Sequence, residues 1–206
     1  MPEWDKKLKD VNVSVVADGL YTSLLHSNFF SDLGTAQNTI QIPPLAILDY
    51  GRYSFVIDVA ARRAIARDAT GELTIASPVA SMMKKFIETA QNVTIKGVGF
   101  NYTYELISQA PAAEFVVSRY FREDVLPALG GEVVGAGLKL VTKQEDHLVQ
   151  ISIEPVWGNP LALTILINYH HDSPGMGTWP SIVDRFGQFV ADVPQLIERV
   201  ANAETT

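Results

Sequence analysis

Residues 77–106 constrain this chain more than any other stretch, because an apolar period of 3.6 gives way within them to a period of two. From Pro78 onward, Val79, Met82, Met83, Phe86, Ile87 and Ala90 fall at i, i+3, i+4 and i+7 spacing. That spacing predicts a helix over 78–91 with one oily face. Ser77 offers a capping oxygen, Pro78 a preset φ for the first helical position, and Asn92 a suitable exit. Further on, Val98, Phe100, Tyr102, Tyr104 and Leu106 alternate with Gly99, Asn101, Thr103 and Glu105, which predicts a strand with one packed face and one wet face. Val93 and Ile95 carry the apolar positions on odd numbers, so the phase must slip, and a β-bulge is expected at Lys96 and Gly97.

A helix with one oily face needs a sheet to lie on, and the remaining periodicity supplies one. Strands are expected over 11–17, 45–50 and 53–59, then at Leu73 and Ile75 after a turn at 68–71. Three more follow over 133–142, 148–155 and 161–170. Residues 1–10 read as a frayed end that Trp4 tacks to the body, 19–30 fits a strand or a short helix equally well, and 31–38 reads as a loop. A second helix is expected over 110–129, capped by Ser108, stopped by Gly130 and Gly131, and burying Phe115, Val116, Tyr120, Leu126 and Leu129. A closing helix is expected over 179–201, with a kink at Pro194 or a break there recapped by Asp192. The fold class is therefore α+β: a mainly antiparallel sheet of two β-meanders with about three helices packed mostly on one face. One domain over 1–206 is expected, with a pseudo-repeat of 45–91 and 132–201.

Composition narrows the function classes. A net charge of −7 and a pI near 5.0 work against binding nucleic acid, whose phosphates call for clustered cations. No apolar run approaches the ~18 residues a membrane helix needs, so no membrane partner is expected. The chain has no cysteine, which rules out disulfides and thiolate chemistry. Together with a start that lacks the order of a secretory signal, this leads us to expect a cytoplasmic address.

Candidate chemistry is sparse. His170, His171 and Asp172 are the most tempting cluster, since imidazoles with a carboxylate bind metals or trade protons. Adjacent strand residues point to opposite faces, however, so the two histidines share an ion only if the strand has already ended. No metal and no cofactor are expected. The loop 172–177 lacks the lysine of a phosphate loop, and Gly97-Val98-Gly99 lies within a strand, away from the strand-to-helix turn of a dinucleotide site. Ser173 and Ser181 lack a nucleophile-elbow setting, and Asp58, Glu105 and Glu154 read as solvated strand positions. Arg62, Arg63 and Arg67 form the one basic knot, read as solvated charges guarding a sheet edge, with an anionic partner as the alternative. Tyr102 and Tyr104 suit a core against a helix, or else, with Asn101 on the other face, a partner-facing platform.

The helix over 78–91 feeding Val93-Thr94-Ile95-Lys96-Gly97-Val98-Gly99-Phe100-Asn101-Tyr102 resembles a sporadically distributed family of uncharacterised bacterial proteins of about this size. In those proteins a helix also precedes a glycine-containing strand, and a late β-meander is followed by a C-terminal helix. The resemblance covers most of the chain and implies no established activity. The expected function is a non-catalytic binding or protein-interaction module, with a protein partner or self-association. The alternatives are an enzyme with its site near His170 to Asp172, or a carrier holding a small ligand between sheet and helices.

Overall fold

The computed structural model describes residues 4–69, 77–120 and 136–202. Two long strands, β1 (Asp5–Asp18) and β6 (Thr94–Ile107), lie antiparallel at the centre of the sheet. β2 (Asn38–Ile42), β3 (Leu45–Asp49), β4 (Tyr53–Asp58) and β5 (Arg63–Asp68) extend it beyond β1. On the β6 side stand β9 (Ala162–His171), β8 (Leu148–Pro155) and β7 (Leu138–Lys143). The order is β2-β3-β4-β5-β1-β6-β9-β8-β7, and every neighbouring pair is antiparallel. The arrangement is symmetric about the β1–β6 pair: each long strand is flanked by the last strand of a meander, and each meander leads into a helix.

Those helices are α1 (Val79–Thr89) after β5, and α3 (Trp179–Val183) with α4 (Phe186–Asn202) after β9; α2 (Ala112–Tyr120) follows β6. α1 sits where its oily face predicts, with Val79, Met82, Met83 and Phe86 buried against the sheet. The Phe86 ring lies 5.2 Å from that of Phe55 on β4. Across the middle, Phe189 on α4 packs 5.0 Å from Phe100 on β6 and 4.4 Å from Tyr169 on β9. The α+β class, the mainly antiparallel sheet and the placement of helices over one face all follow the sequence pattern.

Three details of the helix-to-strand stretch sharpen the expectation. Pro78 takes the position before the first helical residue, and the buried Ser77 donates its hydroxyl to the Asp68 carboxylate at 2.9 Å, so it does not cap α1. Asn92 adopts φ 62°, the left-handed exit its side chain tolerates. The register of β6 against β1 skips Lys96, which is the expected bulge.

Other boundaries differ. β1 begins at Asp5, within the stretch expected to fray, and Trp4 packs edge-on to Phe115 at 5.0 Å. A second bulge at Lys9 moves the inward positions from Leu8 to Val11, and this change of parity hides the strand's first half from a period-two reading. β2 has no counterpart among the expected strands, because all five of its edge residues are exposed and none marks a buried face. β5 is also new: its inward residues are Ala64, Ala66 and Asp68, too small or polar to signal a strand. Residues 22–24 and 31–33 form 3₁₀ turns. The closing helix does break, but at Asp184 and Arg185; Pro194 lies inside a continuous α4. The expected strand at Leu73 and Ile75, the start of the strand at 133–135, and Leu126 to Gly131 lie outside the described residues.

Candidate functional site

Helices cover one face of the sheet, and the other face presents two registered rows. The first reads Ile40, Ile47, Val56, Ile65, Ser14, Gly99, His170, Leu148, Lys143 across all nine strands. Its β2–β5 portion is therefore an unbroken run of branched aliphatic side chains, with Ile40 42% exposed and the next three half-buried. Ile42 and Leu45 flank it, 71% and 36% exposed. The second row carries Arg67, Asn12, Asn101, Asn168 and Gln150. Asn168 donates to Asn101 at 2.6 Å, Asn101 to Asn12 at 2.8 Å, and Asn12 to Asp10 at 2.8 Å. Charges on this face meet one another: Arg67 pairs with Asp10, and Lys9 with Glu105 at 2.9 Å.

A second constellation lies under the helix side, where the β7–β8 turn meets the α3–α4 junction. His171 closes β9 pointing inward and is fully buried. Its Nδ1 lies 3.1 Å from the Asp146 carbonyl oxygen, and its Nε2 has no partner among the described residues. A carbonyl only accepts, so Nδ1 carries the hydrogen and Nε2 the lone pair. His147 Nδ1 sits 2.7 Å from Asp146 Oδ1, and its ring lies 5.1 Å from that of His171. Arg185, presented by the tight turn between α3 and α4, bonds the other carboxylate oxygen of Asp146 and stacks 5.2 Å over Phe189. One ligand atom from each of Asp146, His147 and His171 lies within 4.8 Å of the others.

The electrostatics follow from these contacts. The bond from His147, then the bond and charge of Arg185, hold the Asp146 carboxyl down at about 2. Burial, then the charge of Arg185 and the neighbouring His147, pushes the His171 imidazole down to about 4, which keeps it neutral. Burial, followed by Asp192, raises Tyr169 to about 12. Two cavities of about 460 Å³ flank His147. One is lined by Glu145, Asp146, Asp172 and Lys143 among others. The other lies between the sheet and α4, with Val149, Ile151, Tyr169 and Leu196 as apolar walls and Arg199 and Asp192 as charged ones.

The sequence candidates are distributed over both regions. Because β9 runs through His171, His170 faces the open side, over Gly97, and His171 faces the core; the two are not brought together. Asp172 lines the cavity beside His147. Tyr102 and Tyr104 belong to the helix-covered core, and Asn101 to the amide row opposite. Arg63 and Arg67 lie within β5, an interior strand and not a sheet edge, while Arg62 stands at the turn before it with φ 55°. Arg67 is held by Asp10, and Arg62 lies 3.3 Å from Asp18. Sequence reasoning misses Asp146, His147 and Arg185, which lie far from His171 along the chain. The acidic pair Glu145-Asp146 just before His147 in an expected turn is the signal available for them.

The chain matches no protein-family model, and no curated protein is significantly similar to it. Among the described residues no helix is long and apolar enough to cross a membrane.

Proposed function

We propose that this chain is a non-catalytic binding module that meets protein through the uncovered face of its sheet, and that the partner is a second copy of itself. The observation that carries this reading is the aliphatic row Ile40, Ile47, Val56, Ile65, continuous over four strands and widened by Ile42 and Leu45. Scattered exposed aliphatics are ordinary, but a contiguous apolar patch on a soluble chain marks an interaction surface. The charges beside it support the choice of partner. Arg67 pairs with Asp10, Asp58 stands opposite Arg63 across β4 and β5, and Asp49 accepts from Asn38 at 3.1 Å. Such a face meets its own copy without like-charge repulsion despite the net charge of −7. It also offers no bare cationic row to phosphates. A cytoplasmic address goes with this reading, supported by a sequence without cysteine.

Sedimentation equilibrium over a wide concentration range tests it: the chain is expected to dimerise, and Val56→Glu to remain monomeric with an unchanged circular dichroism spectrum. A wild-type monomer at high concentration overturns it. A second reading, a small-ligand carrier, has its own support in the cavity between β8, β9 and α4, whose volume suits a small organic molecule. Native mass spectrometry of the freshly purified protein checks it through retained extra mass.

A further inference from the structure

We infer that Asp146, His147 and His171 form a site for a borderline divalent cation of the zinc class. Two imidazoles and one carboxylate are the donor set such ions favour over oxygen-only sites. Bonds of ~2.0–2.2 Å place the donors of a tetrahedral ion about 3.4 Å apart. The observed spacing, within 4.8 Å, closes by side-chain rotation alone, because Asp146 and His147 stand on the β7–β8 turn.

The second observation is the buried nitrogen. His171 is fully buried, and its Nε2 finds no partner among the described residues, although a buried polar atom left unbonded is costly. The tautomers match a metal site. The Asp146 carbonyl takes the Nδ1 hydrogen of His171, which leaves that ring's lone pair on Nε2, and at His147 the ion takes the place of the hydrogen shared by Nδ1 and Asp146 Oδ1, 2.7 Å apart. Arg185 bonds the other carboxylate oxygen, Oδ2, which leaves Oδ1 to the ion. The adjoining cavity of about 460 Å³, lined by Asp146 and His147, carries Glu145 and Asp172 as further carboxylates against the cation Lys143.

The symmetric place in the other half of the sheet gives a control. There the last inward residue of the meander is Asp68, also buried, and its carboxylate is bonded by Ser77 at 2.9 Å and forked by Arg52 at 3.4 Å. The same position is thus filled by a satisfied structural group in one half and by an unsatisfied ligand-type nitrogen in the other.

The test is calorimetric titration of tag-free, metal-depleted protein with zinc chloride, with cobalt chloride as a spectroscopic probe of tetrahedral coordination. One ion per chain is expected, with affinity lowered about tenfold or more by His147→Ala and by His171→Gln. His170→Ala and His26→Ala, at positions outside the cluster, are expected to bind within about twofold of wild type, well inside that tenfold loss. If His171→Gln does not fold, His147→Ala on the half-exposed turn carries the test. Absence of stoichiometric binding overturns the site, as does His147→Ala binding like wild type or His170→Ala losing as much as His147→Ala.

Discussion

The two faces of the sheet solve the same packing problem in opposite ways. On the helix side the inward residues Val13, Val15, Phe55, Phe100, Tyr102 and Ile165 are fully buried, and aromatic side chains of the sheet, the helices and the segment at Phe30 interlock. On the other side the residues between them are half-exposed, hydrogen-bonded to one another, or aliphatic and uncovered. The covered face therefore holds the fold, and the uncovered face is free to serve something else. Antiparallel sheets commonly leave one face to water, but then that face is polar throughout. Here the β1–β6–β9 portion carries the amide row, while in the β2–β5 portion an aliphatic row runs between polar positions, Asn38, Asp49, Ser54 and Arg67 on one side and Asp58 and Arg63 on the other.

Substitutions that act on one face and spare the other break or sharpen this contrast. The largest effect is expected from Phe86→Ala, which removes a fully buried ring packed against Phe55 and Phe29. It should cost ~3–5 kcal/mol in denaturant unfolding, with no change in the affinity of the folded fraction for its copy. Val56→Glu reverses the pattern. Unfolding free energy should move by less than ~1 kcal/mol, while self-affinity falls by about tenfold or more, ~1.4 kcal/mol.

Gly97→Ala on the open face falls between these. Its new Cβ would lie 2.9 Å from His170 Cε1 and 3.0 Å from the His171 carbonyl oxygen. The imidazole can swing away but the carbonyl cannot, so a loss of ~1–2 kcal/mol is expected by thermal unfolding. The smallest change, and the one of opposite sign, is Tyr102→Phe. The Tyr102 hydroxyl is buried without a partner among the described residues, and burial raises its pKa. Deleting it should leave stability unchanged or improve it by up to ~1 kcal/mol. A clear loss would reveal a hydrogen bond that this account lacks.

What could be read from sequence depended on side-chain size and on locality. The helix at 79–89 and the strand at 94–107 are legible because large apolar groups mark each period, and the bulge at Lys96 because the marking changes parity. The same change of parity between Leu8 and Val11 was available too, but the polar residues around it read as a frayed end. β2 and β5 were illegible for different reasons: one is an exposed edge, and the other packs alanines where its neighbours pack phenylalanine and valine. The break of the closing helix at Asp184 was masked by the stronger local signal of Pro194. His171 stood out as a residue type, but its partners could not, since a turn and a helix junction bring Asp146, His147 and Arg185 to it from distant parts of the chain.

A chain without cysteine allows the central claim to be tested one position at a time. Single cysteines are placed at Ile47, Val56 and Ile65 on the open face, and at Glu88 and Gln195 on the helix side, and each variant is oxidised mildly at a concentration where the wild type self-associates. The account predicts disulfide-linked dimers from at least one open-face position and monomers from both helix-side positions. Monomers from all three open-face positions, or dimers formed equally well from Glu88 and Gln195, would contradict it.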